Sequence, residues 1–251
     1  MEKALPLITI MGPTGVGKTE LAISLSKTIS SEIISVDSVQ VYKGMDIGSG
    51  KPSKDTLDKH PHKLVSFIDP WKASSTALFI LDATRDINLC DRLNKVPLLV
   101  GGTMLYFRSL LSGISRMPEA NQDIRNEIST QAKKYGWGFL HKELTELDPE
   151  SGKRIHPNDS QRIQRALEVY RVSSKTMTEW RRRDKGSDLL KSKKVIQFAV
   201  EPKSRDSLRE GIKTRFLSML EVGLVKEVEK LMDLKQMDPN KSSMKLSLIH
   251  I

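Results

Sequence analysis

A glycine-rich motif near the N-terminus constrains the fold more than any other feature of this sequence. It matches the pattern G-x-x-x-x-G-K-[ST], and its residues are Gly12, Pro13, Thr14, Gly15, Val16, Gly17, Lys18 and Thr19. An apolar run precedes it and a helical pattern follows it, which is the context in which this motif forms a phosphate-binding loop. We therefore expect a diphosphate-like group here, with Lys18 on the terminal phosphate and the Thr19 hydroxyl on Mg²⁺.

Short apolar runs alternate with longer helical patterns through much of the chain. Runs typical of strands buried on both faces lie at 7–11, 32–36, 64–68, 96–100 and 195–200. Helical patterns lie between the earlier runs, at 18–30, 75–93 and 104–111. This alternation predicts an α/β fold of the P-loop NTPase-like class, with a parallel sheet and helices on both faces.

The strand pattern stops after Gly113. Helical patterns follow at 121–134, 137–147 and 160–182, and Asn158 or Asp159 is placed to cap the last of them. We interpret residues 113–194 as a helical insertion domain. Residues 1–112 and 195–251 then form the α/β core, with further helices predicted at 205–220 and 224–234.

The chain is strongly basic, with 41 Lys and Arg against 31 Asp and Glu and a formal net charge of +10. Residues 181–194 carry seven basic and two acidic side chains. Such a run is usually a solvated face, but beside a phosphate-binding loop it suggests a clamp on a nucleic-acid backbone. The single cysteine, Cys90, excludes an internal disulfide. No apolar run is long enough to span a membrane, and we expect a cytoplasmic protein.

Polar residues follow the predicted strands at the edge where parallel sheets bind ligands. Asp37 follows 32–36 and is placed either to act as a carboxylate base beside the loop or to cap a turn. The run at 96–100 is followed by Gly101, Gly102 and Thr103, where a nucleotide hydrolase or kinase would have a Mg²⁺-binding Asp. Thr103 offers a hydroxyl at this edge, or the three residues form only a strand-to-helix turn. Asp69, after 64–68, is a weaker candidate for that metal role.

Arg215 lies on the apolar face of the helix predicted at 205–220. That face is defined by Leu208, Ile212, Phe216 and Met219. Because burying an unpaired charge is unfavourable, we expect Arg215 to have a partner, either a bound diphosphate or a structural carboxylate.

Four stretches together resemble the tRNA dimethylallyltransferase family, also called isopentenyltransferases. They are the loop at 12–19, SVDSVQVYKGMDIGSGKP at 35–52, LVGGTMLYF at 99–107 and RIHPNDSQRIQRALE at 154–168. The resemblance implies a prenyltransferase that moves a dimethylallyl group from its diphosphate to N6 of an adenosine next to the anticodon of tRNA.

The resemblance also implies roles for particular residues. The loop would hold the donor diphosphate together with Mg²⁺, and Arg215 is a further candidate for that contact. Asp37 would be the general base and Thr103 would assist at the reacting centre. The residues implied in tRNA contact are Asp37, Ser38, Val39, Gln40, Thr103, Arg125, Gln161, Arg162, Ile163, Gln164 and Arg165. The insertion would grip tRNA, and we expect the enzyme to act as a monomer.

The end of the sequence departs from the family pattern. After Lys245 the family continues into a Gly-Tyr-Arg stretch and further helices, whereas this chain reads LSLIHI at 246–251. On this resemblance we expect a C-terminally truncated chain, with part of the core uncovered.

Three other functions are left open by the residues alone. An adenylate isopentenyltransferase would use the same donor with free AMP, although a mononucleotide needs no basic insertion. A P-loop small-molecule kinase would transfer phosphate from ATP. A non-catalytic RNA-binding protein would not need both the loop and Asp37.

Overall fold

The computed structural model describes residues 5–113, 117–183 and 193–237. The chain divides into two compact units. Within the described residues, the first unit comprises Met1–Ser112 and Asp188–Ile251, and the second comprises Gly113–Ser187. Most of the basic run, at 184–192, and the terminal stretch at 246–251 lie outside the described residues.

The first unit contains a parallel sheet, which has five strands in the described residues. They are β1 (Leu7–Met11), β2 (Ser31–Val36), β3 (His62–Lys63), β4 (Val96–Gly101) and β5 (Val195–Ala199). Their order across the sheet is β3-β2-β4-β1-β5. The ends of β1, β2 and β4 meet at one edge, because Gly101 pairs with both Met11 and Val36. The predicted α/β class with a parallel sheet is confirmed.

Helices follow the strands and fill the second unit. In chain order they are α1 (Lys18–Ser26), α2 (Lys54–Lys59), α3 (Thr76–Arg92), α4 (Met104–Ser112), α5 (Gln122–Tyr135), α6 (Trp137–Leu147), α7 (Pro149–Arg154), α8 (Ser160–Ser173), α9 (Met177–Arg183), α10 (Arg205–Glu221) and α11 (Leu224–Met232). Among the described residues, no helix is both long and apolar enough to cross a membrane.

Successive strand residues pack on opposite faces of the sheet, as expected for strands buried on both sides. Ile33 packs in the same apolar cluster as Ala22 of α1. Its neighbour Ile34 packs with Ile87 of α3 and Phe107 of α4 on the other face. The prediction of helices on both faces is therefore confirmed, and these two layers fix the strand ends that carry the candidate site.

The second unit has its own apolar core, formed by α5 to α9. The fully buried side chains of Ile128, Leu140 and Leu167 lie in it. Asn121 caps α5, and Asp159 caps α8 by accepting a hydrogen bond from the backbone N–H of Arg162. Of the two caps that the sequence allowed for α8, Asp159 is the one used.

The structure differs most from the prediction at two elements. The strand predicted at 64–68 does not form, because Leu64 (φ 61°) and Ser66 (φ 54°) adopt left-handed backbone conformations that cannot continue a ladder. The helix predicted at 160–182 is two helices, since Ser174 takes a left-handed conformation at the end of α8. Neither α2 nor α7 was predicted.

The helix predicted at 205–220 is present, but its apolar face is not buried. The exposed fractions of Ile212 and Phe216 are 44% and 37%, and α10 contains no buried residue. The expectation that Arg215 lies within a buried apolar face is therefore wrong.

Candidate functional site

The glycine-rich loop joins β1 to α1, as the motif predicts. Gly17 precedes α1 with φ 91°, a left-handed conformation that favours glycine. Among the described residues no side chain caps this helix, so the first N–H groups of α1 are available to an anion. The ammonium group of Lys18 donates a hydrogen bond of 2.6 Å to the carbonyl of Pro13, across the loop.

A cavity of about 670 Å³ opens beside this loop. Its volume lies within the range of about 300–1,000 Å³ that is usual for small-molecule sites. The residues that matter for its chemistry are Lys18, Thr19, Asp37, Gln40, Gly50 and Arg215. They come from the loop, from the chain just beyond β2 and from α10, so the fold gathers groups that are far apart in sequence.

Three charged side chains influence one another in this cavity. Burial lowers the pKa of Lys18 below its ordinary value, Asp37 acts in the opposite direction, and Arg215 adds to the lowering. Lys18 and Arg215 are therefore close enough to repel each other. Among the described residues, the lining carries three cationic side chains, Lys18, Lys51 and Arg215, against the two carboxylates of Glu20 and Asp37. This excess of positive charge favours an anionic ligand.

Asp37 caps a turn immediately after β2. Its Oδ1 atom accepts hydrogen bonds from the backbone N–H groups of Val39 (2.8 Å) and Gln40 (3.1 Å). Within the described residues, Oδ2 has no hydrogen-bond partner. The capping role that the sequence allowed is therefore present, and it leaves one carboxylate oxygen available for proton transfer.

Thr103 lies beside Asp37, at the end of β4. Its hydroxyl oxygen accepts a hydrogen bond of 3.2 Å from the backbone N–H of Ser38, and its own N–H donates to the carbonyl of Val36 at 3.3 Å. Because the hydroxyl oxygen is an acceptor in this contact, its proton can be donated elsewhere.

Arg215 has a backbone partner in this structure. Its Nη2 atom donates a hydrogen bond of 2.9 Å to the carbonyl of Gly50. Among the described residues, no carboxylate lies within ion-pair distance of Arg215. The structural-carboxylate alternative is therefore not met in this part of the chain, and the guanidinium retains donors for a ligand in the cavity.

Asp69, the weaker metal candidate, is engaged in ion pairs. It contacts Lys43 and Lys72, each at 2.9 Å. Hydrogen bonds from Lys72 and then Lys43 hold the pKa of this carboxyl below its ordinary value. Asp69 does not line the cavity beside the loop, which favours a role in stabilising its own turn.

Of the residues after Asp37 that were expected to contact tRNA, Gln40 forms part of the wall of the cavity. Val39 packs against the apolar cluster around Tyr42. Gln40 accepts a hydrogen bond from the Ser35 hydroxyl (3.1 Å) and donates to the carbonyl of Gly50 (3.4 Å). The side chain of Gln40 therefore braces the site.

In the second unit, two arginines that were expected to contact tRNA converge on Glu168, whose side chain is fully buried. Arg125 donates to it from Nε (2.9 Å) and Nη2 (3.2 Å), and Arg165 donates from Nη1 (2.7 Å). The backbone N–H of Asn121 adds a fourth contact at 2.7 Å. Both arginines are thus held by an internal ion-pair network.

The other predicted tRNA contacts on α8 differ in exposure. Gln161 and Arg162 are exposed. Ile163 is fully buried in the core of the second unit, so its side chain offers no surface to RNA. Gln164 donates to the Ser129 hydroxyl at 2.9 Å. Exposure therefore supports Gln161 and Arg162 as RNA contacts and gives no support to the side chain of Ile163.

The basic run at 181–194 is described only in part. The side chain of Arg182 is 74% exposed and pairs with Glu150 at 2.7 Å. Lys193 forms an ion pair with Asp91. Lys185 and Lys191 lie outside the described residues, so the clamp expected here stays a prediction.

The structure adds residues that the sequence reasoning missed. The Lys51 side chain is almost completely buried, with 2% exposed, and contacts Asp46 at 2.7 Å. Glu227 of α11 accepts hydrogen bonds from the turn that contains Gly48. His62 also lines the cavity, and burial lowers the pKa of its ring. Lys51 lies within the quoted GSGKP motif, whereas nothing in the local sequence pointed to Glu227.

The residues around the loop fit a magnesium ion bound together with a diphosphate. Among the described residues there is no group of three or more His, Cys, Asp or Glu side chains that could hold a metal by themselves. Mg²⁺ needs few protein ligands where phosphate oxygens and water supply the others. Thr19 lines the cavity, and its hydroxyl is a suitable oxygen donor.

Two family models match the chain. The IPP transferase model matches residues 40–247, and the isopentenyl transferase model matches residues 5–64. The two matches overlap and include the glycine-rich loop, Asp37 and the whole second unit.

Solved structures of similar proteins agree with these matches. A tRNA delta(2)-isopentenylpyrophosphate transferase from Staphylococcus epidermidis is 34% identical, with 92% of this chain and 74% of that chain covered and a TM-score of 0.58. A full-length tRNA isopentenylpyrophosphate transferase from Bacillus halodurans is also 34% identical, with 94% and 72% covered and a TM-score of 0.57.

A eukaryotic dimethylallyltransferase acting on tRNA is 26% identical and has a TM-score of 0.76. The match covers 94% of this chain and 59% of that longer chain. Family models and solved structures thus agree with the kind of site that the glycine-rich loop and its surrounding residues form. This chain belongs to the IPP transferase family.

Proposed function

We propose that this protein transfers a dimethylallyl group from dimethylallyl diphosphate to N6 of an adenosine next to the anticodon of tRNA. The proposal rests on the cavity beside the glycine-rich loop, in a chain that belongs to the IPP transferase family. Its cationic side, formed by Lys18 and Arg215, adjoins a carboxylate with a free oxygen, Asp37. The similar solved proteins are named as tRNA transferases or described as acting on tRNA.

The donor diphosphate would bind at the cationic side of the cavity. The N-terminus of α1 supplies backbone N–H donors, Lys18 supplies an ammonium group, and Arg215 supplies a second cation. These groups stabilise the negative charge that accumulates on the diphosphate as it leaves. We propose that Thr19 holds a magnesium ion, which when bound neutralises further charge on the diphosphate.

The acceptor amine would lie at the opposite side of the same cavity. Its nitrogen attacks C1 of the dimethylallyl group, the bond from C1 to oxygen breaks, and diphosphate leaves with the electron pair. The proton released from N6 passes to the free Oδ2 of Asp37, whose Oδ1 is held by two backbone N–H groups. Thr103 fixes the peptide of Ser38 and directs its hydroxyl proton to the reacting groups.

The second unit would bind tRNA. An adenosine in the anticodon loop must leave its stack to enter a cavity, so the surrounding RNA needs to be held while it does so. Exposed basic side chains such as Arg162 and Arg182 are suited to phosphate contacts. A chain with a net charge of +10 also attracts a polyanion at long range.

Transfer of radiolabelled dimethylallyl from its diphosphate to unmodified tRNA tests the proposal directly. We expect label to accumulate in tRNA in the presence of Mg²⁺, and nuclease digestion to place it on an adenosine next to the anticodon. Free AMP should not be labelled at a comparable rate, because it cannot contact the second unit.

Two results would contradict the proposal. Label in AMP but not in tRNA would assign the chain to prenylation of a free nucleotide. Phosphate transfer from ATP, with no prenyl transfer to either acceptor, would assign the glycine-rich loop to a kinase.

A further inference from the structure

Glu227 joins α11 to the turn at residues 46–51, here called the 46–51 turn. Its Oε2 atom accepts hydrogen bonds from the backbone N–H groups of Asp46 (2.9 Å) and Ile47 (2.7 Å), and its Oε1 atom accepts from Gly48 (2.9 Å). Three consecutive N–H groups directed at one carboxylate form a strong anion-binding arrangement.

The helix that carries Glu227 is fixed on the protein. Leu231 of α11 is buried in an apolar cluster with Val41, Tyr42 and Met45, the residues that lead into the 46–51 turn. Val228 packs against the same cluster. Because both α11 and the start of the turn are anchored in this cluster, Glu227 has a defined position from which to hold the three N–H groups.

Hydrogen bonds within the 46–51 turn connect its first residues to its last ones. Fixing the position of residues 46–48 therefore also fixes the position of residues 50 and 51. The N–H of Gly50 donates to the carbonyl of Ile47 at 2.9 Å, and the N–H of Lys51 donates to the carbonyl of Asp46 at 3.2 Å. The buried ammonium group of Lys51 reaches back to the Asp46 carboxylate at 2.7 Å.

The end of the 46–51 turn contacts Arg215, a cation that lines the cavity beside the glycine-rich loop. The carbonyl of Gly50 accepts the 2.9 Å hydrogen bond from Arg215 and a longer one, 3.4 Å, from Gln40. Gly50 has φ 62°, and a Cβ atom at this position would lie 3.0 Å from the Arg215 Cζ, so the close approach requires glycine. The position of the guanidinium thus depends on the position of this carbonyl.

We propose that Glu227 is a positioning residue for diphosphate binding. By holding the N–H groups of residues 46–48, it fixes the Gly50 carbonyl, which in turn orients Arg215 toward the diphosphate. This inference rests on the proposed function of the cavity as a diphosphate site. Orienting the guanidinium before the ligand arrives reduces the conformational freedom that is lost on binding.

A role for Glu227 in stability alone predicts a different pattern of mutant effects. If it served only to attach α11, replacing it would lower the melting temperature but would not interact with a substitution at Arg215. If Glu227 acts through Arg215, the two substitutions are not additive, because the second removes an interaction that the first has already disabled.

Isothermal titration calorimetry with inorganic diphosphate and Mg²⁺, without tRNA, measures the diphosphate affinity of each variant and so shows whether the two substitutions are additive. The variants are Glu227→Gln, Arg215→Gln and the double variant. Glu229→Gln is the control, since it removes the same charge from an exposed position on the same helix. We expect Glu227→Gln to weaken binding about tenfold, as for the loss of one charge-assisted contact. Glu229→Gln should bind like the parent, and adding Glu227→Gln to Arg215→Gln should change binding less than about twofold.

Other results would overturn the inference. Equal binding by the parent and Glu227→Gln would remove the positioning role while leaving the diphosphate site intact, and so would additive effects in the double variant. No diphosphate binding by the parent would overturn the proposed function and this inference together. If Glu227→Gln melts too low to titrate, Glu227→Asp serves instead. It keeps the charge but shortens the side chain, so intermediate weakening is expected and unchanged binding contradicts the proposal.

Discussion

The backbone N–H of Ser38 donates a hydrogen bond of 3.2 Å to the hydroxyl of Thr103, although 65 positions separate the two residues. This contact joins the segment beyond β2 to the segment beyond β4, at the edge where the two strands end. It places a hydroxyl beside the residue that follows Asp37. Together with the hydrogen bond from the N–H of Thr103 to the carbonyl of Val36, it joins the two strand ends that carry the side chains proposed for the chemistry.

Replacing Thr103 by valine should slow prenyl transfer with little change in fold. Valine has a similar shape but leaves the N–H of Ser38 without its acceptor and removes the hydroxyl proton. A loss of about 1–3 kcal/mol is typical of such a change, which corresponds to a rate about 10- to 100-fold lower at about 1.4 kcal/mol per factor of ten. Single-turnover kinetics measure it. Thr103→Ser keeps the hydroxyl and should stay within a few-fold of the parent, so equal rates for the two variants would argue against this role.

Replacing Asp37 by asparagine separates its two possible roles. The amide oxygen can still accept from the N–H groups of Val39 and Gln40, so the turn is retained, but the proton acceptor is lost. We expect the transfer rate to fall by about 10²-fold or more, the usual contribution of a general base. Diphosphate affinity should not weaken, because a carboxylate near the site repels an anion. A rate close to that of the parent would leave Asp37 with its capping role only.

Arg162 is expected to contribute one phosphate contact to tRNA binding. Its side chain is 74% exposed and pairs at 3.2 Å with Asp159, the N-cap of the same helix. Arg162→Ala should weaken tRNA binding and reduce the salt dependence of log K by about one. Arg209 is a matched control, because it forms a similar exposed pair with Asp206 on α10. Filter binding across a salt series measures both variants, and equal salt slopes for the two would leave Arg162 as a solvated surface residue.

Glu168 should contribute stability to the second unit in a pH-dependent way. Burial alone would raise the pKa of this carboxyl, but hydrogen bonds from Arg125, then Arg165 and the N–H of Asn121, outweigh it and lower the pKa below its ordinary 4.5. A carboxyl with a lowered pKa in the folded state stabilises the fold fully above that ordinary value. The contribution is lost as the pH falls below it through the folded-state pKa.

Urea unfolding followed by tryptophan fluorescence measures this contribution, because Trp137 and Trp180 both pack against the core of the second unit. Glu168→Gln should destabilise the unit by about 3 kcal/mol near neutral pH, the lower end for breaking a buried ion pair, since both arginines remain partly hydrated. The difference from the parent should shrink below about pH 4.5. Glu143→Gln, which removes a more exposed partner of Arg171, should cost less than about 1 kcal/mol. A Glu168 effect that is independent of pH would contradict the pKa argument.

Much of the fold could be predicted from local patterns, because the apolar runs at β1, β2 and β4 are bounded by turn residues. The strand predicted at 64–68 failed for a tertiary reason. Ile68 instead forms a single bridge with Tyr42, and the intervening chain bends through left-handed residues. The break between α8 and α9 depends on the conformation of Ser174, which the apolar spacing does not reveal.

The residues of the candidate site that come directly after strands could be predicted from the sequence. Lys18, Asp37 and Thr103 each follow a strand of a parallel sheet, so the topology alone brings them to one edge. The contact of Arg215 with Gly50 could not be predicted, since the sequence suggested a carboxylate or a diphosphate as its partner. The contacts of Glu227 were equally hidden, because they join positions about 180 residues apart.

Lys18→Ala tests whether the glycine-rich loop holds the diphosphate of a prenyl donor. Prenyl transfer to tRNA and tRNA binding should be measured on the same preparations, with Lys27→Ala as the control for an exposed lysine at the end of α1. We expect Lys18→Ala to abolish transfer and to leave tRNA binding largely intact, while Lys27→Ala behaves like the parent. Transfer by Lys18→Ala at the rate of the parent would show that the loop does not hold the prenyl donor.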